Sequence, residues 1–219
     1  RRYAKRLEGY LDAVHAGEFD TLPSLRQTLR IDRILADMPQ LIDGMIEGAE
    51  RTRDIVDALK RFSAVDKAAP EVVDLNEVIE RSVRWVTQSA PNKFTVDLDL
   101  PVEMRCRGSS GQLQQVVMNL IQNACDATLG QANPRLSICG AFLGCDVVLS
   151  FVDNGPGIPE AHLSHLFEPF FTTKPVGQGT GLGLSISYGI VERHGGTLIA
   201  GNHPGGGAEF KLSLPMESR

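Results

Sequence analysis

Two spacing patterns divide the chain into an N-terminal helical part and a C-terminal mixed part. In the first part, apolar or small residues recur at alternating steps of three and four, which places them on one side of a helix. These positions are Leu35, Met38, Ile42, Met45, Ala49, Thr52, Val56 and Leu59. A second stripe at steps of seven, comprising Leu41, Gly48, Ile55 and Phe62, widens the face. A face this wide predicts a helix of a bundle rather than a narrow two-stranded zipper.

A shorter amphipathic helix is predicted over residues 2–15. Residues 16–34 then form a connection, and the long helix either begins near Asp37 as its cap or kinks at Pro39, which lacks a backbone donor. Two helices are too few to bury two apolar faces. They pack either on the second part of the chain or against a second copy, and we expect the second arrangement, a homodimeric four-helix bundle.

From residue 71 onward, short apolar strands and amphipathic helices follow each other. The predicted strands are 71–73, 93–99, 103–107, 135–142, 145–152, 197–201 and 207–214, and the predicted helices are 76–89, 110–129 and 180–194. Because strands come in adjacent pairs between helices, this order predicts an α+β fold with a mainly antiparallel sheet. The remaining long loop, 153–179, has the length of a lid or binding loop.

Glycine, proline and charge refine this division. Only 4 of the 22 glycines lie before residue 67, and Pro70 disfavours helix at the residue before it, so we predict domains over 1–66 and 67–219. A formal net charge of −5 argues against nucleic-acid binding. No apolar run is long enough to form a helix that crosses a membrane. The 4 cysteines lack C-x-x-C spacing, which favours a reduced, cytoplasmic protein.

Three polar segments in the second part are candidates for chemistry. On predicted helix 110–129, Asn119 and Asn123 are four residues apart and Asp126 follows on nearly the same face. An amide oxygen there is a suitable magnesium ligand, although exposed asparagines are also common on ordinary helices.

The second segment is Asp153-Asn-Gly-Pro-Gly-Ile-Pro159, directly after an apolar strand. A carboxylate at a strand end can accept a hydrogen bond from an exocyclic amine, and the glycines let the backbone approach a flat ring. The same residues also fit a plain turn. The third segment, Gly177-Gln-Gly-Thr-Gly-Leu-Gly183, precedes a helix whose N-terminal amides could bind an anion, and it fits neither a Walker A loop nor a Rossmann fingerprint.

In this order, the three segments resemble the N, G1 and G2 boxes of the ATPase superfamily that includes gyrase, Hsp90, MutL and the sensor histidine kinases. The segment Phe167-Glu-Pro-Phe-Phe-Thr-Thr-Lys174 resembles the F box of bacterial histidine kinases. The runs His194-Gly-Gly196 and Gly205–Pro215 fit the same family, so the resemblance covers residues 71–215. It implies a Bergerat-type α/β sandwich after the dimeric helical hairpin, with ATP and Mg²⁺ as cofactors.

The resemblance also implies roles for individual residues. Asn123 is expected to hold the magnesium ion that bridges the phosphates, with Asp126 beside it. Asp153 is expected to bind the adenine amine, and Lys174 either reaches a phosphate or is solvated. The base is expected against Gly155, Gly157 and Ile158, and the phosphates against Gly179, Thr180, Gly181, Leu182 and Gly183.

Asn119 occupies a position where relatives that hydrolyse ATP commonly carry a glutamate. An amide cannot accept a proton from water, so hydrolysis loses its general base. Suppressed hydrolysis suits an enzyme that transfers the γ-phosphoryl group to a side chain, which makes Asn119 a candidate catalytic residue.

The helical part resembles the dimerisation and histidine-phosphotransfer domain of these kinases. Their acceptor lies in a histidine–acidic pair shortly followed by proline, and none of the 5 histidines here fits that pattern. We therefore expect the acceptor to lie upstream of Arg1, with His15 as the weaker alternative. His162 and His165 have the spacing of a metal pair, but a solvated turn explains them more simply.

The chain is thus predicted to be the catalytic core of a bacterial two-component sensor histidine kinase. It would bind ATP, phosphorylate a histidine in a dimer, and pass the phosphoryl group to a response-regulator receiver domain. The runs 47–63 and 16–34 extend the resemblance to kinases that regulate hydrogenase genes, which implies a hydrogen-sensing partner. The alternatives are an anti-sigma-type serine kinase, a non-enzymatic ATP-gated dimer scaffold and an ATP-driven clamp.

Overall fold

The computed structural model describes residues 2–63, 71–89, 94–175 and 179–217. The chain divides into two compact units, Arg1–Asp54 and Ile55–Arg219. The predicted joint at 67–70, and with it the proposed domain boundary at 66/67, lies outside the described residues. No helix in the described ranges is both long and apolar enough to cross a membrane.

The N-terminal unit is helical. Helix α1 covers Arg2–His15, α2 covers Leu22–Leu29, and α3 covers Ile31–Ser63 and continues into the second unit. The predicted helix over 2–15 is confirmed. The alternative in which the long helix begins near Asp37 is wrong, because α3 begins six residues earlier and Pro39 lies inside it. Ile31 and Ile34, at most 2% exposed, anchor the turns before Pro39, and this burial outweighs the backbone hydrogen bond lost at the proline.

Helix α2 was not predicted, although Leu22, Leu25 and Leu29 recur at steps of three and four and are half-buried on one side of it. It is only 8 residues long, and none of its residues is fully buried. It ends at Arg30, which has a left-handed backbone (φ 55°) and donates its amide hydrogen to the carbonyl groups of Arg26 and Gln27. This cap turns the chain directly into α3. The predicted connection 16–34 is therefore largely helical.

Part of the predicted apolar stripe on α3 is exposed in the single chain. The exposed fractions are 51% for Leu35, 48% for Leu41, 44% for Ile42, 69% for Met45 and 42% for Val56. The side chains of Ile55, Leu59 and Phe62, which belong to the same prediction, lie outside the described residues. The four-helix bundle stays a prediction.

The second unit contains a mixed sheet with helices. Its elements in chain order are β1 (Glu71–Asp74), α4 (Leu75–Ser89), β2 (Thr95–Asp99), β3 (Arg105–Gly108), α5 (Ser110–Ala127), β4 (Arg135–Leu143), β5 (Asp146–Asp153), α6 (Glu160–Leu163), α7 (Gly183–Arg193), β6 (Thr197–Asn202) and β7 (Ala208–Pro215). The five-stranded sheet has the order β2-β4-β5-β7-β6, and β1 pairs with β3 separately. Only β2 and β4 run parallel, so the expected α+β fold with a mixed, mainly antiparallel sheet is confirmed.

Helix α5 is central to this unit, since it contacts α4, α7 and strands β4 and β5. Its apolar face is buried by Leu113, Val116, Val117, Leu120, Ile121, Ala124 and Cys125. Its opposite face carries Asn119, Asn123 and Asp126 at intermediate burial. The helix therefore presents the predicted polar residues beside the core rather than within it.

Strand β5 determines which way the second predicted segment faces. Buried and half-buried residues alternate along it, with Val147, Leu149, Phe151 and Asp153 on the buried side. Because side chains alternate between the two faces of a strand, Asp153 continues the inward row at the strand's end. The loop after it contains the unpredicted α6, and α7 begins at Gly183 rather than at residue 180.

Candidate functional site

Asp153 is a buried carboxylate that is only partly satisfied by the protein. It is 5% exposed, and its Oδ1 accepts hydrogen bonds from the amides of Gly155 (2.8 Å) and Ala208 (3.1 Å). No described residue donates a hydrogen bond to Oδ2. Asp153 also lines a cavity of about 470 Å³. Since a buried carboxylate oxygen needs a partner, Asp153 is suited to accept a hydrogen bond from a ligand in this cavity.

Two glycines allow the backbone to close around Asp153. Gly207 has φ 82°, and a Cβ there would overlap the backbone oxygen of Asp153. A Cβ on Gly155 would lie 2.9 Å from Asp153 Oδ1. Any side chain at Gly207 would therefore displace the start of β7, which supplies the Ala208 amide. Gly207 lies in the segment Gly205–Pro215 that fits the family, but the sequence indicated no role for it.

Asn202, at the end of β6, holds the loop that follows Asp153. Its Oδ1 accepts a hydrogen bond from the Ile158 amide (2.7 Å), and its Nδ2 donates to the Ile158 carbonyl (2.8 Å). Gly157 has φ 77°, and a Cβ there would lie 2.7 Å from Asn202 Oδ1. Sequence reasoning missed Asn202. The available signal was a polar residue one position beyond the predicted end of strand 197–201.

The α5 side of the cavity carries Asn123 and Asp126. Asp126 accepts a hydrogen bond from Gln122 Nε2 (2.8 Å) and forms an ion pair with Lys174 Nζ. Asn123 makes no side-chain hydrogen bond with any described residue, so its amide oxygen is available. Magnesium prefers oxygen ligands and usually takes only one or two from the protein. These side chains therefore fit a magnesium ion bound together with phosphates.

A second cavity, of about 330 Å³, lies next to the first and is lined by the glycine loop. The two cavities share the lining residues Asn123, Asp126, Leu166, Thr173, Lys174 and Leu184. Those found only in the second include Gly179, Thr180, Gly181 and Gly183. The two cavities are thus adjacent, with Asp153 in the wall of one, the glycine loop in the wall of the other, and Asn123 and Lys174 in the walls of both.

The glycine loop packs closely on the preceding segment. The Phe170 amide donates to the Gly181 carbonyl at 2.9 Å, and a Cβ on Gly181 (φ 66°) would overlap the Phe170 carbonyl group. A Cβ on Gly179 would lie 2.8 Å from Thr172 Oγ1. Leu182 is 5% exposed and packs in the core rather than lining either cavity. Gly177 of this motif lies outside the described residues.

Asn119 is not among the described residues that line the two cavities. Its Nδ2 donates to the Gly183 carbonyl and to Ser187 Oγ, both at 3.1 Å. The side chain thus joins α5 to the first turn of α7, directly after the glycine loop. This contact gives Asn119 a positioning role in addition to the catalytic role that stays a prediction.

Cys125, next to Asp126 on α5, is a buried thiol. Burial raises the pKa of Cys125, and the neighbouring Asp126 carboxylate raises this pKa further, although Lys174 acts in the opposite direction. The thiol therefore stays protonated near neutral pH. Cys125 is not among the described residues that line either cavity.

Three histidines near these elements have different environments. His194 donates from Nδ1 to the Ile190 carbonyl (2.8 Å) and accepts from the Ser109 amide at Nε2 (3.1 Å), so both ring nitrogens are engaged. His165 pairs with Glu168 at 2.8 Å. His162 lines the first cavity. In the described ranges, no group of three or more His, Cys, Asp or Glu residues could hold a metal ion.

Comparisons with known proteins agree with this geometry. Residues 108–218 match the family model described as histidine kinase-, DNA gyrase B-, and HSP90-like ATPase. The sensor histidine kinase ZraS of Escherichia coli K12 is 36% identical over 182 residues, which cover 81% of this chain and 38% of ZraS. The C4-dicarboxylate transport sensor protein DctB of Pseudomonas aeruginosa is 38% identical over 168 residues, covering 75% of this chain and 27% of DctB.

Solved structures show the same similarity. The catalytic domain of histidine kinase ThkA is 32% identical, with a TM-score of 0.61 over 68% of this chain and 97% of that domain. The mycobacterial sensor histidine kinase MprB is 28% identical, with a TM-score of 0.62 over 68% of this chain and 99% of that structure. The chain thus spans a whole catalytic domain but less than two fifths of the curated relatives' length. It belongs to the histidine kinase-, DNA gyrase B- and HSP90-like ATPase family, and its catalytic unit is of the sensor histidine kinase type.

Proposed function

We propose that this chain binds Mg-ATP and transfers the γ-phosphoryl group to a histidine side chain, for relay to an aspartate of a response-regulator receiver domain. One observation carries the proposal. The half-satisfied, buried carboxylate of Asp153 lines one cavity, the glycine loop lines the other, and Asn123 and Lys174 line both. This order of an acceptor, an amide, a cation and a glycine loop suits the base and the phosphates of a nucleoside triphosphate.

Different residues of the site bind different parts of the nucleotide. Asp153 accepts a hydrogen bond from the adenine amine, while Asn202 and Gly157 hold the loop against the base. Asn123 supplies an oxygen for magnesium. When bound, ATP supplies the phosphoryl group and magnesium neutralises its charge. The open amides of the glycine loop face the phosphates.

Lys174 is the side chain that supplies a positive charge to the phosphates. Its ammonium group is paired with Asp126 and lies where the two cavities meet. Phosphoryl transfer depends mainly on positioning and charge neutralisation, and a lysine held by a carboxylate can provide both. We therefore assign Lys174 to the transferred group and Asp126 to holding Lys174 beside the magnesium ion.

Asn119 favours transfer to a side chain over hydrolysis. Its amide cannot act as a general base, and its hydrogen bonds to Gly183 and Ser187 hold it at the start of α7. Water bound with the nucleotide thus lacks an activating group at this position. A slow rate of ATP hydrolysis would distinguish this protein from an ATP-driven clamp.

The acceptor is proposed to be a histidine outside residues 1–219. His194 is engaged at both ring nitrogens, and no histidine of the chain has the expected acidic neighbour and nearby proline. His15, at the end of α1, is the alternative within the chain. Residues 1–66 would form the dimerisation domain, because the exposed stripe on α3 offers an apolar face to a second copy. Residues 67–219 would form the catalytic domain.

The stimulus is proposed from the helical part of the chain. Its resemblance to hydrogenase-regulating kinases suggests a hydrogen-sensing partner. DctB, by contrast, is named as a C4-dicarboxylate transport sensor. Binding of a purified hydrogen-sensing protein to the full-length kinase would support this assignment, and absence of binding would remove it.

Phosphoryl transfer between two chains tests the proposal. The chain is mixed with Mg-ATP and with a longer form of the protein that includes the segment before Arg1 and carries Asp153→Asn. We expect acid-labile, base-stable phosphate on the longer form only. Acid-stable phosphoserine on a partner would instead indicate a serine kinase. Tight ATP binding without any labelled protein would indicate an ATP-gated scaffold.

A further inference from the structure

His162 has an incompletely satisfied imidazole ring in the wall of the candidate nucleotide site. It lies in α6, three residues after Pro159, and lines the first cavity. Its Nδ1 is buried and has no hydrogen-bond partner in the described part of the chain. Its Nε2 forms no hydrogen bond with any described residue either. The sequence had suggested a solvated turn, but this ring is half-buried and faces a cavity.

The neighbouring aromatic ring fixes the orientation of His162. Phe171 lies edge-on to it, with ring centroids 5.5 Å apart and an interplanar angle of 69°. His165, three residues later, also lies near Phe171, with ring centroids 6.1 Å apart, but its side chain is 52% exposed and pairs with Glu168. In the His162 ring, Nδ1 is enclosed by the protein, so Nε2 is the nitrogen that can meet a ligand in the cavity.

The position of His162 identifies the part of the ligand that it can reach. It lines the cavity that contains Asp153 and Gly157, but it does not line the cavity of the glycine loop. With adenine bound at Asp153 and the phosphates at Asn123 and beyond, the sugar lies between them. Relying on the proposed function, we propose that His162 binds a ribose hydroxyl group of the nucleotide.

The chemistry of the two groups is compatible. A buried N–H without an acceptor is rarer in proteins than a buried acceptor without a donor, so the proton belongs on Nε2 and not on Nδ1. Nε2–H then donates to the hydroxyl oxygen. His162 therefore contributes to affinity and to recognition of the sugar, and it takes no part in phosphoryl transfer.

Nucleotides that lack one hydroxyl group test this assignment. The affinities of ATP, 2′-deoxy-ATP and 3′-deoxy-ATP are measured by calorimetry on the wild-type chain and on His162→Phe, which preserves packing against Phe171. We expect the wild type to bind one of the deoxynucleotides roughly fivefold more weakly than ATP. His162→Phe should bind ATP about fivefold more weakly and bind that deoxynucleotide as the wild type does.

The matched control is His165→Phe, which changes an exposed histidine of the same segment and should leave all three affinities unchanged. Equal weakening of all three nucleotides by His162→Phe, or no weakening at all, would overturn the proposal. If His162→Phe does not fold, the ring ¹⁵N chemical shifts of His162 are measured instead, in the wild-type chain. They should shift with ATP and shift less with the discriminating deoxynucleotide, and identical shifts with all three would overturn the assignment.

Failure of this inference can be separated from failure of the proposed function. A wild-type chain that does not bind ATP would overturn both. A different set of results would reject only the role of His162. In that case the wild-type chain binds ATP, Asp153→Asn abolishes the binding, and His162→Phe leaves the ATP affinity unchanged.

Discussion

The amide of Phe170 donates a hydrogen bond to the carbonyl oxygen of Gly181 at 2.9 Å, and both residues have left-handed backbones, with φ values of 70° and 66°. Phe170 belongs to the segment that resembles an F box, and Gly181 belongs to the glycine loop. The pairing is close enough that a Cβ on Gly181 would overlap the Phe170 carbonyl group. This backbone contact therefore holds the F-box-like segment against the glycine loop.

Gly181→Ala should weaken ATP binding by at least tenfold, because a left-handed alanine costs roughly 1–2 kcal/mol and its Cβ would also separate the two segments. Calorimetric titration with Mg-ATP measures the effect. Gly144→Ala is the matched control, since Gly144 has a similar φ of 63° but nothing within 4 Å of a built Cβ. Gly144→Ala should lower the free energy of unfolding by a similar amount and bind ATP with wild-type affinity. Equal ATP affinities in the two variants would contradict the role of the Phe170–Gly181 contact.

Asp153→Asn should abolish measurable ATP binding. The amide group can still accept one hydrogen bond, but it places an N–H donor opposite either the Gly155 and Ala208 amides or the adenine amine. Asp146→Asn is the control at the other end of β5, where the carboxylate accepts a hydrogen bond from Ser213 at 3.0 Å. It should leave the affinity unchanged. Unaltered binding by Asp153→Asn would remove the adenine assignment.

Asn202→Asp should raise the dissociation constant for ATP by about tenfold. The aspartate keeps an acceptor for the Ile158 amide but places a second oxygen against the Ile158 carbonyl, which leaves a polar pair unsatisfied at about 1–3 kcal/mol. Hydrogen exchange at the Ile158 amide should accelerate in the same variant. Fast exchange with unchanged affinity would show that the loop is held by Asn202 without affecting the nucleotide.

Asn123→Ala should reduce Mg²⁺-dependent phosphoryl transfer by at least a hundredfold, since the variant loses the amide oxygen that lines both cavities without a hydrogen bond to any described residue. A magnesium titration of the transfer rate separates metal binding from folding. Gln114→Ala, on the same helix but away from both cavities, is the control. Wild-type magnesium dependence in Asn123→Ala would exclude Asn123 as a ligand.

The buried thiol of Cys106 should make the protein sensitive to alkaline pH. Burial, and to a lesser degree Glu217, raises the pKa of Cys106 from 9.0 to about 12. In the unfolded chain the thiol ionises at the lower value, so its contribution to stability is complete below pH 9.0 and declines as the pH rises towards about 12. Urea unfolding between pH 8 and pH 11 should show this decline, and Cys106→Val should reduce it.

Alkylation checks the same environment independently. Iodoacetamide at pH 8.5 should modify the exposed Cys139 and Cys145 and spare the buried Cys106 and Cys125. Rapid modification of Cys106 in the folded protein would contradict both its burial and its raised pKa.

The predicted elements and the structure differ most between residues 16 and 37. Helix α2 is only 8 residues long with a single row of half-buried leucines, and the start of α3 depends on the burial of Ile31 and Ile34 rather than on a cap near Asp37. Strands with alternating burial, such as β5, were found within one residue of their bounds. Periodicity thus located elements whose side chains distinguish two faces, and it failed where burial came from distant parts of the chain.

The order of the three polar segments and the shared face of Asn123 and Asp126 could be predicted from the sequence alone. The shared face follows from a spacing of three residues, which a helix converts directly into geometry. These two properties were sufficient to recognise the family and to locate most of the candidate site.

Only the tertiary structure decided which polar atoms are already engaged and which remain available to a ligand. Asn119 reaches Ser187 across 68 positions of the chain, Asn202 reaches Ile158 across 44, and Ala208 reaches Asp153 across 55. His162, by contrast, finds no partner for its buried Nδ1. Hydrogen-bond satisfaction depends on which distant segments meet in the folded chain, and no short-range spacing records that.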